Sequence, residues 1–334
     1  MERARRELGS SGVTTTVLSL GGAPLAGLGA EVTEDQAHAT VEAAWAEGIR
    51  GFDTAPHYGI GHSERRLGRV LATKPRGEFT LSTKVGRLLV PNDDVAAAGT
   101  DAAEGFPAVP ATHRRQWDFS ADGVRRSLED SLTALGLDRV DIALIHDPDH
   151  HERQAFTEAY PALERLRAEG TVSAIGAGMN QSAMLARFVR DTDVDVVLLA
   201  GRYTLLEQGG LADLLPAAAE RGTGVIIGGV FNSGLLADPR PNASYNYAPV
   251  REDVLARALR LKEVSERHGV PLRAAALRFP LGHPAVAGVL VGARSAAEVH
   301  DAAAMARHPV PAALWEELRA EGLLPADVPV PEEI

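Results

Sequence analysis

Eight short apolar runs, at 17–20, 49–52, 79–83, 141–145, 172–177, 194–199, 224–229 and 287–291, punctuate the chain, with helical stretches between most of them. Such runs, without apolar/polar alternation, suit strands buried on both faces, and parallel sheets with helical crossovers provide that setting. Helical spacing covers 34–47, 121–135, 152–169, 182–190, 211–221 and 254–268. A further helix starts at Ser63 as N-cap, with Glu64 in the first turn, where the helix dipole favours negative charge. Eight strand–helix units predict an α/β fold closed into a (β/α)8 TIM barrel. An open doubly wound sheet is the rival, and it calls for a Gly-rich phosphate turn directly after the first strand. The segment Leu20-Gly-Gly-Ala-Pro-Leu-Ala-Gly lacks that pattern, because Pro24 stands where the helix would begin.

The chain reads as a single domain over 1–334, with the barrel at about 17–306 and a C-terminal helix and tail at 311–334. A short N-terminal hairpin is predicted around 9–16, and the Pro-rich end, 324–334, reads as a surface tail. Two long loops, 86–119 and 230–249, follow strands and would overhang the C-terminal face of the barrel, where active sites are built. With 34 basic against 45 acidic residues the net charge is −11, so a nucleic-acid backbone would be repelled. No apolar run approaches the roughly 18 residues that span a bilayer. The start, Met-Glu-Arg-Ala-Arg-Arg-Glu, lacks a signal peptide's hydrophobic segment, so a cytoplasmic protein without membrane contact is expected. Without cysteine there are no disulfides, thiolate metal sites or Cys nucleophiles. Oligomeric state is left open.

Three strand-like runs end on polar residues of different kinds: Asp53, Lys84 and His146. Tyr58 follows five residues after Asp53. Each alone has an ordinary reading, as a turn cap, a solvated strand end or a satisfied histidine; together, at one end of a barrel, they form a proton-transfer set. A phenol titrates near pH 10, and a neighbouring ammonium, Lys84, is expected to lower it. Asp53 would hold that ammonium charged and oriented, and His146 would hydrogen-bond the substrate oxygen. Such a set suits hydride transfer at a carbon bearing oxygen, with Tyr58 moving the proton and a redox cofactor taking the electrons. His57, His62, Asp53 and His146 can also be counted as metal ligands, but Lys84 among them would repel a divalent ion, so no metal is expected.

The motifs Gly51-Phe-Asp-Thr-Ala-Pro-His-Tyr-Gly-Ile-Gly-His-Ser-Glu, Ser82-Thr-Lys-Val-Gly and Asp141-Ile-Ala-Leu-Ile-His-Asp-Pro-Asp resemble the aldo-keto reductase superfamily in order, spacing and context. The resemblance implies the barrel, a nicotinamide cofactor, and Asp53, Tyr58, Lys84 and His146 as the catalytic tetrad. Further likeness, in Gly176-Ala-Gly-Met-Asn-Gln and Ala200-Gly-Arg-Tyr-Thr-Leu-Leu, is to the aldose 1-dehydrogenase branch. That branch includes D-threo-aldose and L-fucose dehydrogenases, with pyridoxal 4-dehydrogenases close by. It implies oxidation of a cyclic sugar of the L-fucose, D-arabinose or L-galactose type at its anomeric carbon to a lactone. Pyridoxal oxidation and general NADPH-dependent aldehyde reduction are the enzyme alternatives, and a nucleotide-sensing regulatory subunit is the non-enzyme alternative.

The same resemblance places the adenosine-phosphate loop after the last strand, with Gly292, Arg294, Ser295 and Glu298 as contacts. Where NADP-preferring relatives carry basic residues, this chain has Gly292 and Glu298. A carboxylate there repels a 2′-phosphate and accepts ribose hydroxyls, so NAD is expected, with NADP the alternative through Arg294. On the nicotinamide side, Gly228 or Gly229 replaces the usual stacking aromatic, which leaves Phe231, Asn232, Ser233 and Gly234 as contacts. Asn180 is the candidate to hold the carboxamide. Residues overhanging the mouth, namely His57, Arg87, Trp117, Asp147, Tyr245, Asn246 and Tyr247, mix polar groups with aromatic faces and suit a polyhydroxylated ring. The anionic balance argues against a highly charged sugar phosphate, an alternative that Arg87 and the His113-Arg114-Arg115 cluster leave open.

Overall fold

The computed structural model describes residues 4–246 and 248–332. Eight parallel strands close into a barrel: Leu18–Gly21, Gly51–Asp53, Thr80–Val85, Ile142–His146, Ala174–Met179, Val196–Ala200, Gly224–Gly228 and Val286–Gly292. Closure is made where the eighth strand returns to the first, with Val289 opposite Leu18 and Gly292 opposite Gly21. Because side chains alternate faces along a strand, each short run feeds two cores. Leu144, Val196, Leu198 and Ile226 fill the barrel interior, while Ile145, Val197 and Ile227 meet the surrounding helices. The hairpin of Arg5–Glu7 and Thr14–Thr16 caps the N-terminal end, and Leu8 beside it joins the interior cluster, fully buried.

Three features depart from the sequence expectations. The segment 152–169 is helical, but its turn at Ala155–Ala159 widens into a π-bulge before Tyr160–Ala168 continues. Pro161 lies just beyond the bulge; proline has no N–H to donate and its ring crowds the carbonyl four residues back, and the wider turn accommodates both. The Pro-rich C-terminal segment packs rather than trailing over the surface, since Leu324 and Val328 are buried. Gly282 leaves room for it: a Cβ there would stand 2.5 Å from the Val330 carbonyl carbon.

The third departure matters most for the site. The long segment after the third strand is structured: Arg87–Pro91 pairs antiparallel with His113–Trp117, and Thr100–Asp101 pairs with Phe106–Pro110. Gly86 allows the chain to leave the barrel, because its φ of 99° lies in the left-handed region and the Phe119 ring fills the space of a side chain. The hairpin therefore stands over the barrel mouth, with Arg87 directly opposite Trp117 in register. Among the described residues no helix is long and apolar enough to cross a membrane.

Candidate active site

Asp53 ends the second strand, Lys84 lies one residue from the end of the third and His146 ends the fourth, so three adjacent strands deliver their polar residues to one rim. Lys84 Nζ donates to Asp53 Oδ2 at 2.6 Å and to the Thr54 carbonyl at 2.9 Å. The other carboxylate oxygen of Asp53 accepts from Ser82 Oγ at 2.7 Å. Tyr58 lies on the loop after the second strand, its ring centroid 4.7 Å from Lys84 Nζ and 5.8 Å from the His146 ring. All four predicted groups thus gather at this rim, with Asp53, Lys84 and His146 buried and Tyr58 half-buried.

Their protonation follows from burial set against neighbours. For Lys84 burial opposes the charge, but Asp53 and Tyr58 outweigh it and raise the pKa, so the ammonium is fixed. Tyr58 corrects the sequence expectation. Lys84 does pull its pKa down, but burial is the larger effect and the phenol is pushed up to about 12. Its resting form is the neutral acid. His146 is held well below the usual imidazole range by burial and by the charges of Arg87 and Lys84, and is neutral. Its buried Nδ1 has no partner among the described residues, while Nε2 lies 3.5 Å from Asp147 Oδ2.

At the barrel rim, adjoining His146 through Asp147, a cavity of about 550 Å³ is lined by Arg87, Trp117, Asp147, Asp149, Asn180 and Gln181, among others. Arg87 Nη2 donates to Asp147 Oδ2 at 2.7 Å, and the guanidinium lies 5.7 Å from the Trp117 ring centroid. Asp147 adopts a φ of 39° and its amide donates to the Gly178 carbonyl, which turns the chain sharply at the rim. His57 stands apart from this group, packed edge-on to Tyr58, His146 and Phe106. Tyr245 and Asn246 are engaged elsewhere, with Glu207 and Arg202. Tyr247 lies outside the described residues.

Apart from Asn180, which follows the fifth strand and lines the cavity, the candidate cofactor residues fall on two neighbouring strand ends, the seventh and eighth. Barrels of this type commonly bind phosphate groups there. Asn232, Ser233 and Gly234 form a run of left-handed residues with φ of 46°, 59° and 93°, a tight turn over the rim with Ser233 and Gly234 exposed. Asn232 itself is buried, its side-chain Oδ1 accepting from Thr204 Oγ1 at 2.7 Å, so it ties this turn to the loop after the sixth strand. Phe231 is half-buried against the core. After the eighth strand, Ser295 caps the helix Ala296–Arg307 by accepting from the Glu298 amide, and a Glu298 carboxylate oxygen accepts from the Arg294 amide at 2.8 Å.

Residues 17–321 match the Aldo/keto reductase family. The chain belongs to that family. As an aldo/keto reductase it is an oxidoreductase working with a nicotinamide cofactor, and its exposed turns at the seventh and eighth strand ends fit such a group. It is 45% identical over 319 residues to a D-threo-aldose 1-dehydrogenase of Pseudomonas sp, covering 95% of this chain and 97% of that one. Identity to a pyridoxal 4-dehydrogenase of Microbacterium luteolum is 40%, over 96% and 98% of the two chains. Among solved structures, the holo form of aldo-keto reductase AKR11C1 from Bacillus halodurans superposes with a TM-score of 0.75 at 23% identity, covering 98% of each chain, a likeness of fold.

Behind the reductase's tetrad lies the carboxyl of Glu64, in the first turn of its helix as expected but under a different cap. The helix is His62–Leu71, capped by Gly61 rather than Ser63, and Glu64 points inward, 1% exposed, accepting from Thr83 Oγ1 at 2.8 Å. Burial, opposed by hydrogen bonds from Ser131 and Thr83, pushes its pKa up to about 7. A raised carboxyl pKa favours the folded state below the unfolded value and forfeits that advantage as pH rises through the folded value, here between about 4.5 and 7. Glu64→Gln, which keeps an acceptor for Thr83 without the charge, is therefore expected to be more stable than the parent at pH 8 by roughly 1–3 kcal/mol and nearly equal at pH 5. Urea unfolding at the two pH values checks this; equal differences at both would contradict it.

Proposed function

We propose that this aldo/keto reductase oxidises the anomeric carbon of an aldose of the L-fucose, D-arabinose or L-galactose type to a lactone, with NAD as the preferred coenzyme. The observation that carries the reading is the polar cavity beside the tetrad, whose lining residue Asp147 lies 3.5 Å from His146 Nε2. Its Arg87–Asp147 pair and Asn180 offer donors and acceptors to several hydroxyls at once, and the Trp117 ring supplies a face for the sugar's C–H groups. The 45% identity to a D-threo-aldose 1-dehydrogenase points the same way.

In this reading Tyr58 takes the C1 hydroxyl proton as the C1 hydride departs, so that the hemiacetal carbon becomes the lactone carbonyl. Bound nicotinamide supplies the hydride acceptor. Lys84 stabilises the phenolate while it exists, Asp53 keeps Lys84 in place, and neutral His146 donates to the reacting oxygen. Because the phenol of Tyr58 rests protonated, oxidation is favoured as pH rises and reduction of an aldehyde as it falls. Between pH 7 and 10, below the Tyr58 pKa of about 12, kcat/KM for oxidation is expected to climb while that for reduction stays flat; parallel profiles would sink Tyr58 as the proton carrier.

Two features support NAD. Glu298 presents a carboxylate where a 2′-phosphate would need a cation, and it also lies 3.8 Å from the Arg294 guanidinium, partly neutralising it. Gly292 cannot readily become basic, since a Cβ there would stand 2.5 Å from Pro24 Cγ. Glu298→Lys is expected to tighten NADP binding by about tenfold, a modest ~1.4 kcal/mol suited to an exposed charge pair. Calorimetric titration of both coenzymes measures it, and an unchanged NADP affinity counts against the assignment. The reading itself is tested by initial rates of reduced-coenzyme formation with NAD or NADP and L-fucose, D-arabinose, L-galactose and pyridoxal, followed by identification of the product. Faster turnover of pyridoxal than of any sugar would transfer the assignment to pyridoxal oxidation.

A further inference from the structure

Arg115, on the hairpin over the barrel mouth, is tied to both a carboxylate and a histidine. Its Nη1 and Nη2 donate to Asp101 Oδ1 and Oδ2 at 2.6 and 2.7 Å, and both side chains of this pair are 5% exposed. Its Nε donates to His57 Nδ1 at 2.6 Å, and Nη2 also donates to the His57 carbonyl at 2.8 Å. A guanidinium has only donors and stays charged in proteins. His57 Nδ1 must therefore offer its lone pair, and the ring proton must reside on Nε2.

A second proton on His57 would have to displace the Arg115 donor. The surroundings oppose that proton as well: burial, then Arg87, Arg115 and Lys84, lower the His57 pKa to about 2. The other titratable groups packed against the ring are Tyr58 and neutral His146, and Asp101 is already committed to Arg115. Among the described residues Nε2 makes no hydrogen bond, and the ring centroid lies 5.6 Å from that of His146 and 5.9 Å from that of Tyr58. A donor fixed in tautomer and charge thus stands beside the two groups that handle the reacting oxygen.

We propose that His57 donates its Nε2–H to a second substrate oxygen, the hydroxyl on the carbon next to the reacting carbon, and that Arg115 is the positioning residue that locks His57 in the donor form. The substrate class this implies is the 2-hydroxylated aldose, and that part rests on the aldose reading above. A site built to hydrogen-bond a hydroxyl rejects the analogue lacking it, because the protein group is then left unpaired.

The test compares kcat/KM for an aldose and its 2-deoxy counterpart across pH 5 to 9 in the full-length protein. The parent is expected to prefer the hydroxylated sugar by about tenfold or more, with no acid limb due to His57. In His57→Phe the preference should fall toward one. In Arg115→Gln the ring proton is no longer confined to Nε2, so the preference for the hydroxylated sugar should shrink, and Arg115→Lys, which keeps a cationic donor for Nδ1, should retain more of it; burial and Arg87 still hold the imidazole down, so neither variant should gain an acid limb. An undiminished preference in His57→Phe or in Arg115→Gln overturns the proposal. Should Arg115→Gln fold poorly because Asp101 is left buried and unpaired, Asp101→Asn/Arg115→Gln carries the same comparison. The lock is also read without any substrate, by long-range 1H–15N spectra of the imidazoles. Expected is a His57 ring protonated on Nε2 alone from pH 5 to 8, and a charged or Nδ1–H ring overturns the lock. If the parent turns over neither sugar while those spectra show the expected ring, the aldose reading fails, and the substrate part of the proposal fails with it.

Discussion

Tyr58→Phe is expected to lower turnover by about 10³-fold or more, at the upper end of what one positioned acid–base group contributes, while coenzyme affinity stays within about twofold. The substitution removes one oxygen and keeps the ring, so the edge-on packing with His57 and His146 survives. Lys84 keeps its bonds to Asp53 and to the Thr54 carbonyl, so no buried charge is stranded. Folding stability should accordingly change by only about 1 kcal/mol, the usual worth of one hydrogen bond. Steady-state rates together with coenzyme titration check both halves. A variant that turns over normally would remove Tyr58 from the chemistry, and one that has lost coenzyme binding would show that the ring serves binding.

Lys84→Met is expected to damage folding and catalysis together, for separable reasons. Lys84 and Asp53 are 2% and 3% exposed, and their pairing is what makes either charge tolerable in the barrel interior. Removing one partner of a buried pair typically costs about 3–5 kcal/mol, because the other is left uncompensated. With Lys84 gone, Asp53 retains the Ser82 hydroxyl but no cation. Asp53→Asn/Lys84→Met removes both charges and should recover most of that stability, since a buried pair replaced by neutral groups is often close to isoenergetic. Activity should stay lost in the double variant, because nothing then favours the phenolate of Tyr58 against its burial. Denaturant unfolding and turnover, measured on the same preparations, separate the two effects. Recovery of activity in the double variant would contradict the role given to Lys84.

The barrel was legible because its strands are apolar runs, and the gathering of its polar groups because three of those runs stop on a residue that apolar runs exclude. Asp53, Lys84 and His146 interrupt the pattern where the chain leaves the core, and strand adjacency brings them together. Other features were legible but read differently. Glu64, Leu67, Gly68 and Leu71 share one face of their helix at spacings of three and four, so the periodicity itself puts the carboxyl on the buried side. The proline count of the C-terminal segment drew the reading outward, though Leu323, Leu324 and Val328 carry the apolar area that buries it. What the sequence could not show depends on long-range pairing. Arg115 meets His57 across 58 residues through a hairpin whose strands, Arg87–Pro91 and His113–Trp117, carry no clear alternation. The state of Tyr58 was hidden for a related reason: the neighbouring cation is visible in the sequence, but the burial that outweighs it is not.

The central claim is hydride transfer from the anomeric carbon, and it is tested most directly with L-fucose or D-arabinose deuterated at C1. After turnover with NAD, mass spectrometry and NMR of the isolated coenzyme should show one deuterium at C4 of the reduced nicotinamide, alongside an unlabelled lactone. Reduced coenzyme that forms without deuterium would place the oxidised carbon elsewhere on the sugar and contradict the account.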